Sequence, residues 1–326
     1  MKIVLPGGTG QVGALLRRTY AEREYDVVVL SRRPEQLEPG VRHAVWDGRT
    51  LGAWAGELEG ADAVVNLAGR TVNCRYTDAN LRQMMDSRVD STRVLGQAVA
   101  AAARPPATWL QMSTATIYAD TRGPAHDEDG EIGGDEPHVP LYWEYSVRIA
   151  RRWEQELEQA PTPATRKVAL RAAMVMTPDR GGVFDVLSTM ARLGLGGPVD
   201  GGGQYVSWIH GDDVVRALDF LLEHPELQGP VNLTAPHPLT QAETMRVLRR
   251  TWGRPVGLPA SRWMARAGAL ALRTDAELLL KSRRVVPGRL LGAGFAFAHP
   301  TWPDAAADLV ARRRALSPAR AHTTER

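Results

Sequence analysis

Two kinds of hydrophobic pattern alternate along the first 170 residues. Short apolar runs are typical of parallel strands covered on both faces, and longer stretches with apolar positions every three or four residues are typical of amphipathic helices. The predicted strands are Lys2 to Leu5, Val27 to Leu30, Val41 to Trp46, Ala63 to Leu67, Thr108 to Ser113 and Val168 to Ala172. With right-handed crossovers, this alternation predicts an α/β fold with a doubly wound parallel sheet.

The predicted helices fill the spaces between strands and continue beyond the last strand. They span Gln11 to Arg23, Leu81 to Ala103, Leu141 to Gln159, Asp212 to Leu222, Gln241 to Thr251 and Ala260 to Leu280. We expect a large domain over residues 1–172, with 204–233 contributing to it or to its edge. A smaller, partly interleaved C-terminal α/β lobe should cover 173–310, and a flexible tail 311–326. A loop over residues 122–140 has the length of an active-site lid.

A glycine-rich turn follows the first strand directly and opens the first helix. Its residues are Gly7, Gly8, Thr9, Gly10, Gln11, Val12 and Gly13. Gly7 permits the tight turn, Gly10 lets the backbone approach a pyrophosphate, and Gly13 lets the helix pack on the sheet, while the helix N-terminus offers N–H groups to phosphates. In this strand–turn–helix context the motif predicts a Rossmann-type dinucleotide site. The alternative is an ordinary glycine-rich turn.

The end of the second strand indicates which dinucleotide is bound. NAD sites usually have an acidic residue there, but this chain continues with Ser31, Arg32 and Arg33. A guanidinium can pair with a 2′-phosphate, so we predict NADP(H); the alternative is a solvated arginine pair. Asp47 follows the third strand. We expect its carboxylate either to accept a hydrogen bond from the adenine amino group or to cap the next helix.

Composition narrows the class of protein. The chain has 326 residues, 44% of them hydrophobic, which is enough for a sizeable core. Its net charge is only +3, which argues against a nucleic-acid partner. The run Arg312 to Arg314 is expected to be a solvated part of the tail. Cys74 is the only cysteine, and no apolar stretch approaches the ~20 residues of a membrane span. We therefore expect a cytoplasmic monomer or homodimer with a small-molecule substrate and no membrane contact.

Several segments resemble a known family, the extended short-chain dehydrogenases of the sugar-nucleotide epimerase type. They are Gly7 to Gly13, Asn66-Leu67-Ala68-Gly69 and Ser113-Thr114-Ala115-Thr116-Ile117-Tyr118. More narrowly, the chain is similar to an atypical epimerase-like subgroup with a small C-terminal domain. The segments that carry this likeness are Ser87 to Thr92, Trp153-Glu154, Ser207 to His210 with Asp212-Asp213, and Arg284 to Pro287. The resemblance extends over residues 1 to 310.

The resemblance implies roles for two of these segments. Thr114 would take the place of the catalytic serine or threonine that hydrogen-bonds the reacting oxygen. Asn66, Leu67, Ala68 and Gly69 would line the adenosine side of the cofactor pocket, with Ala68 and Ser113 near the nicotinamide. Ser113 and Thr114 end a strand at the carboxyl edge, where doubly wound sheets bind ligands. Alternatively, their hydroxyls cap the next turn.

One expected feature of the family is missing. Its catalysis normally needs a tyrosine followed four residues later by a lysine, which lowers the pKa of the phenol. No tyrosine in this chain precedes a lysine by four residues. When Glu154 is aligned with the glutamate that often follows the pair, Ser146 takes the tyrosine position and Ala150 the lysine position. The subgroup resembles this chain in lacking the pair.

Tyr118, Tyr142 and Tyr145 are the candidates to replace the missing acid, although each could equally pack in the core. Trp208 and His210 are predicted to line the substrate cleft; the alternatives are core packing for the indole and a structural role for the imidazole. No spacing of His, Cys and carboxylates predicts a metal site.

Two functions compete at this point. The first is an NADP-dependent, epimerase-like oxidoreductase with an unusual proton donor, and the second is a non-catalytic NADP(H) sensor or regulatory protein. The strand-end hydroxyls favour the enzyme, and the missing pair favours the sensor.

Overall fold

The computed structural model describes residues 1–34, 36–136, 139, 141–264 and 280–316, and only the backbone of Leu141 and Tyr142. Most of the helix predicted over Ala260 to Leu280 therefore lies outside the described residues, as does the Tyr142 side chain.

The central sheet has seven strands, and each neighbouring pair runs parallel. The strands are β1 (Lys2–Pro6), β2 (Asp26–Ser31), β3 (Arg42–Val45), β4 (Ala63–Asn66), β5 (Thr108–Thr114), β6 (Arg166–Ala172) and β10 (Gly229–Leu233). Their order is β10-β6-β5-β4-β1-β2-β3. The predicted doubly wound, Rossmann-type sheet is confirmed. The direction in which successive strands are added to the sheet reverses between β1 and β4. Open α/β sheets bind their ligands at such a topological switch point.

Helices cover both faces because each central strand is apolar on both sides. In β1, Ile3 and Leu5 join the cluster that includes Leu16 of α1 (Gln11–Glu22) and Leu218 of α5 (Gly211–Glu223). Val4 faces the opposite cluster, which holds residues of α2 (Asp78–Ala101) and α3 (Leu141–Gln159). Helix α2 begins three residues earlier than predicted, because the Thr77 side chain caps it by accepting from the Asn80 N–H at 3.3 Å.

The smaller lobe has its own short strands and helices. Strand β7 (Met174–Met176) pairs in parallel with β9 (Trp208–His210), and β8 (Tyr205–Val206) pairs with β11 (Leu239–Thr240) in the antiparallel sense. The helices are α4 (Val183–Arg192), α6 (Gln241–Thr251), α7 (Gly288–Gly292) and α8 (Trp302–Ala315). Residues of α4, α6, α8 and β9 share one apolar cluster.

The two parts interleave along the chain, since β10 follows β9 and α5 in sequence but pairs with β6 in the central sheet. The prediction of a flexible tail over residues 311–326 is wrong for residues 311–315, which are helical. Helix α8 continues to Ala315, and the Arg312 guanidinium pairs with Asp212 at 2.6 Å while Arg313 pairs with Asp185. These ion pairs hold the basic run against α4 and α5. In the part of the chain described, no helix is long and apolar enough to cross a membrane.

Candidate functional site at the carboxyl edge of the sheet

The glycine turn lies at the switch point and touches the turn after β4. Gly7 has a φ of +73°, and a Cβ placed there would lie 2.6 Å from the Ala68 Cα. A Cβ at Gly13 would overlap the Gly8 carbonyl oxygen. Both positions therefore need glycine for the packing of the protein itself.

Gly10 is different, because nothing among the described residues requires glycine there. It is exposed, its φ of −73° suits any residue, and the nearest atom to an added Cβ is the Gly7 oxygen at 3.9 Å. It is also the N-cap residue of α1, and no side chain caps the helix there in the described structure. The N–H groups of the first turn thus have no side-chain acceptor from the N-cap residue, as an anion site at a helix N-terminus requires.

Two contacts that the sequence did not reveal hold this turn in place. Arg17, buried in α1, donates from Nη1 to the Gly8 carbonyl at 3.1 Å and pairs with Glu38 at 3.0 Å. Gln11 donates from its side-chain amide to Thr177 Oγ1 at 2.6 Å, which joins the turn to the loop after β7. Val12 packs against the sheet core. Gly10 is the exposed residue of this turn.

The end of β2 presents two exposed cations. Ser31 is buried, and its Oγ donates to the Arg33 carbonyl at 2.7 Å and lies 2.8 Å from His43 Nε2. The side chain of Ser31 therefore shapes the turn. Arg32 and Arg33 are both exposed, and neither guanidinium has a partner among the described residues.

Asp47 closes the turn after β3 and does not cap the next helix, the 3₁₀ helix Ala53–Leu58, whose N-cap residue is Gly52. Its Oδ1 accepts from the N–H groups of Arg49 and Thr50 at 2.8 and 2.9 Å, and Oδ2 accepts from Thr50 Oγ1 at 2.7 Å. These hydrogen bonds lower the pKa of Asp47 to about 2. The hydrogen bonds of this turn explain why an acidic residue is found at position 47. Its contact with an adenine stays a prediction.

The turn after β4 is shaped by a buried amide. Asn66 accepts from the Ala68 N–H at 3.0 Å and donates to Gln111 Oε1 at 2.9 Å. Leu67 packs with the core and donates its N–H to the Pro6 carbonyl. Asn66 therefore positions the turn, and Gly69 is its exposed member.

The two hydroxyls that end β5 face different surroundings. Ser113 is buried, and its hydroxyl donates a hydrogen bond to Glu154 Oε1 at 2.6 Å. Its side chain therefore points to the face of the sheet that α3 covers. Thr114 is only partly buried, and its Oγ1 accepts from the Thr116 N–H at 3.2 Å. This cap uses a lone pair of Thr114 and leaves its O–H able to donate.

Tyr118 does not reach the cleft, which corrects its prediction as a catalytic residue. Its ring is 2% exposed, and its hydroxyl accepts from Arg171 at 2.8 Å and donates to Asn232 at 2.7 Å. Burial raises the pKa of Tyr118. Arg171 in turn pairs with Glu154 at 2.8 Å, which holds its pKa above the ordinary value. A phenol held in this way ties β5, β6 and β10 together.

The positions of the missing tyrosine and lysine lie on α3. Ala150 is fully buried in a small apolar cluster with Ile117, Tyr118 and Val285, so this position carries a methyl group and no cation. Tyr145 packs against the cluster between α2 and α3, with the Arg148 guanidinium 4.3 Å from its ring centre.

Trp208 and His210 are both in the interior, so their prediction as cleft residues is wrong. The Trp208 ring is fully buried and packs edge-on against Trp302 at 5.0 Å, because β9 lies under α8. His210 is 1% exposed and caps α5, its Nδ1 accepting from the Asp212 N–H at 3.1 Å.

His210, His299 and Asp308 form a group whose ligand atoms lie within 4.8 Å of one another. Because Nδ1 of His210 accepts a hydrogen bond, the proton of the neutral ring lies on Nε2, 3.1 Å from Asp308. This arrangement serves the α5–α8 contact and leaves no free lone pair on His210 for a metal in the described structure. Burial lowers the pKa of His210, and the nearby His299 adds to the effect.

Comparisons with known proteins agree with this geometry. The model of the NAD dependent epimerase/dehydratase family matches residues 3–233. The chain belongs to that family. A second model, a domain of unknown function called DUF1731, matches residues 261–309. The resemblance to epimerase-type dehydrogenases with a C-terminal domain is thereby confirmed.

Two relatives and one solved structure span nearly the whole chain. The epimerase family protein SDR39U1 of Bos taurus is 31% identical over 315 residues, 95% of this chain and 100% of the relative. The epimerase family protein Mb2239 of Mycobacterium bovis is 31% identical over 308 residues, 93% of this chain and 95% of the relative. The crystal structure of human SDR39U1 (isoform 2) with NADPH superposes with a TM-score of 0.82 at 28% identity, covering 95% and 99% of the two chains.

Proposed function

We propose that the chain binds NADP(H) across the switch point and works as an oxidoreductase on a carbonyl or secondary alcohol of a small molecule. The observation that carries this proposal is the geometry of Gly10. Gly7 and Gly13 are explained by the packing of the protein, whereas Gly10 is exposed and has room for a side chain. Glycine at this position is explained by a ligand that must approach the backbone.

The choice of NADP(H) rests on Arg32. Its guanidinium is exposed, unpaired among the described residues, and lies at the carboxyl end of β2, the strand next to the glycine turn. A 2′-phosphate there would gain charge-assisted hydrogen bonds. The NADPH bound to human SDR39U1 supports the same choice. In this proposal residues 1–172 hold the cofactor, with 204–233 contributing to that domain or to its edge, and the rest of 173–310 supplies the substrate side.

Thr114 is the residue we assign to the reacting oxygen. A bound nicotinamide supplies or accepts the hydride, and Thr114 would orient the carbonyl or hydroxyl that reacts with it. Because Thr114 Oγ1 accepts from the Thr116 N–H, its own proton can point toward the substrate. Tyr118 is buried and its hydroxyl makes hydrogen bonds with both Arg171 and Asn232, which argues against it as the catalytic acid.

Ala150 supports a second candidate function, that of an NADP(H) sensor without turnover. It is a buried alanine among apolar side chains, so it supplies no cation at the position where the family usually has lysine. A protein that keeps the cofactor turn but fills this space could report the cofactor's redox state to a partner.

Single-turnover oxidation of bound NADPH by a panel of aldehydes and ketones tests the enzyme. Thr114→Val should slow the reaction about 10²-fold without changing NADPH affinity, because it removes the hydroxyl. Thr114→Ser, which retains both hydroxyl and cap, should stay near the wild-type rate. Tyr118→Phe and Tyr145→Phe should lose less than Thr114→Val.

Two outcomes would contradict the assignment. A tyrosine variant that loses far more activity than Thr114→Val would identify a different proton donor. If the wild type binds NADPH tightly and no compound in the panel oxidises it, the sensor function replaces the enzyme.

A further inference from the structure

The segment 281–286, just before α7, lies against the turn that follows β5. Lys281 and Arg283 of this segment are buried. Lys281 Nζ donates to the Thr116 carbonyl at 2.9 Å, and Arg283 Nε donates to Thr116 Oγ1 at 3.0 Å. Two cations from a distant part of the chain therefore bind Thr116, which follows Thr114 by two residues.

Thr116 links Arg283 to Thr114. Its N–H donates to Thr114 Oγ1 at 3.2 Å, and its own Oγ1 accepts from Arg283. The first of these hydrogen bonds uses a lone pair of Thr114 Oγ1, so it restricts the directions in which the Thr114 proton can point. A displacement of Thr116 would remove this restriction. The orientation of the Thr114 hydroxyl therefore depends on the contact between Thr116 and Arg283.

The segment that carries Arg283 is itself held on two sides. Toward the loop after β5, the Ser282 N–H donates to Asp120 Oδ1 at 2.6 Å. Toward β8, the Arg283 N–H donates to the Tyr205 carbonyl at 2.9 Å, and Ser207 Oγ donates to the Arg283 carbonyl at 2.8 Å. A side chain on a backbone fixed in this way can keep its neighbour in one geometry.

The segment 281–286 brings to the end of β5 the kind of donor that α3 lacks. Ala150 supplies no cation at the position where the family usually has lysine. Arg283 reaches the same strand end from the other side of the chain's connectivity, after β8 and β10. A charged donor makes a shorter and stronger hydrogen bond than a neutral one, so Arg283 is suited to holding a hydroxyl in place.

We propose that Arg283 is a positioning residue, which orients the Thr114 hydroxyl through Thr116. The proposal rests on the proposed function, which assigns Thr114 to the reacting oxygen. Arg283 holds Thr116 Oγ1, the Thr116 N–H stays on Thr114 Oγ1, and the Thr114 proton is left to point toward the substrate. This role requires no bond between Arg283 and the substrate or the cofactor.

Single-turnover oxidation of bound NADPH, by the fastest-reacting compound of the aldehyde and ketone panel, tests this role in the full-length protein. Arg283→Gln should lower the limiting rate on the order of tenfold to a hundredfold, with the half-saturating concentration and the calorimetric NADPH affinity unchanged. Arg283→Lys should recover part of the rate. Arg284→Gln is the matched control, because Arg284 is the next residue and donates to the Gly123 carbonyl; it should react like the wild type.

A double-mutant cycle with Thr114→Val separates positioning from a general loss of structure. If Arg283 acts on the Thr114 hydroxyl, Arg283→Gln should change the already slow Thr114→Val by less than about twofold. An equal loss in both backgrounds, or a wild-type rate in Arg283→Gln, would overturn the proposal. Thr116→Val removes the oxygen that Arg283 binds and should reproduce the loss, whereas Thr116→Ser should not.

Amide hydrogen exchange at Thr116, measured by NMR, gives a readout that needs no turnover. Exchange of this N–H should become about tenfold faster in Arg283→Gln and stay unchanged in Arg284→Gln. Unchanged exchange in Arg283→Gln overturns the proposal whatever the rates. If Arg283→Gln does not fold, wild-type rate and exchange in Thr116→Val overturn it. If exchange responds but no compound oxidises NADPH in the wild type, Arg283 still orients Thr114 and the proposed oxidoreductase function is refuted.

Discussion

Replacing Gly10 by alanine should separate cofactor binding from folding. The backbone at Gly10 has φ −73° and ψ 178°, which any residue adopts, and an added Cβ would have 3.9 Å of clearance. The cost to stability is then that of alanine at an N-cap, from a few tenths to about 1 kcal/mol. The variant should fold and melt close to the wild type.

The same methyl group should block the dinucleotide. It would project from the exposed start of α1 into the space through which phosphate oxygens reach the N–H groups of the first turn. Each hydrogen bond to a charged group is worth about 1.5–3 kcal/mol, so the loss of one or two of them weakens binding at least tenfold to a hundredfold.

Gly13→Ala is the matched control with the opposite expectation. Its Cβ would overlap the Gly8 carbonyl oxygen, so the helix must move away from the turn. Overpacking of this kind costs about 1–3 kcal/mol. At roughly 2–4 °C per kcal/mol, the Tm should fall by several degrees.

Calorimetric titration with NADPH and thermal melts of both variants test this reasoning. We expect Gly10→Ala to keep its Tm and lose affinity, and Gly13→Ala to lose Tm. If Gly10→Ala binds NADPH with wild-type affinity, the pyrophosphate does not lie at this turn. A large fall in its Tm would show that Gly10 is needed for packing.

Two further predictions concern stability. Glu154→Gln should lower the free energy of unfolding by about 3 kcal/mol in urea melts, because it breaks the ion pair with the buried Arg171. Glu158→Gln, at an exposed position of the same helix, should have no effect. If Glu154→Gln is as stable as the wild type, the ion pair contributes nothing to stability. Because the pKa of His210 is lowered in the folded state, the unfolded chain binds its proton more readily, and stability should fall as the pH drops below about 6.5. His210→Asn retains a side-chain acceptor for α5 and should flatten that decline between pH 7 and pH 5; an unchanged slope would exclude His210 as its source.

The sequence was most informative where one local pattern determines structure. Apolar runs set the strands of the sheet, and the spacing of Gly7, Gly10 and Gly13 identified the phosphate turn. The sequence alone could not separate their roles. Gly13 packs against Gly8, but the need for Gly7 comes from Ala68, a residue of another strand's turn.

Predictions that depended on tertiary contacts were less successful. Tyr118 was a reasonable candidate acid until β10 brought Asn232, 114 residues later, to its hydroxyl. Trp208 and His210 lie in a polar and aromatic motif, yet α8 covers both.

Calorimetric titration of the wild type with NADPH and NADH, repeated with Arg32→Ala, tests whether the chain binds NADP(H) at this site and whether Arg32 selects it. We predict one site per chain, with NADPH bound tenfold to a hundredfold more tightly than NADH, because the 2′-phosphate gains a charge-assisted contact worth about 1.5–3 kcal/mol. Arg32→Ala should remove most of that preference and leave NADH affinity unchanged. Equal affinities in the wild type, or no binding of either dinucleotide, would contradict this prediction.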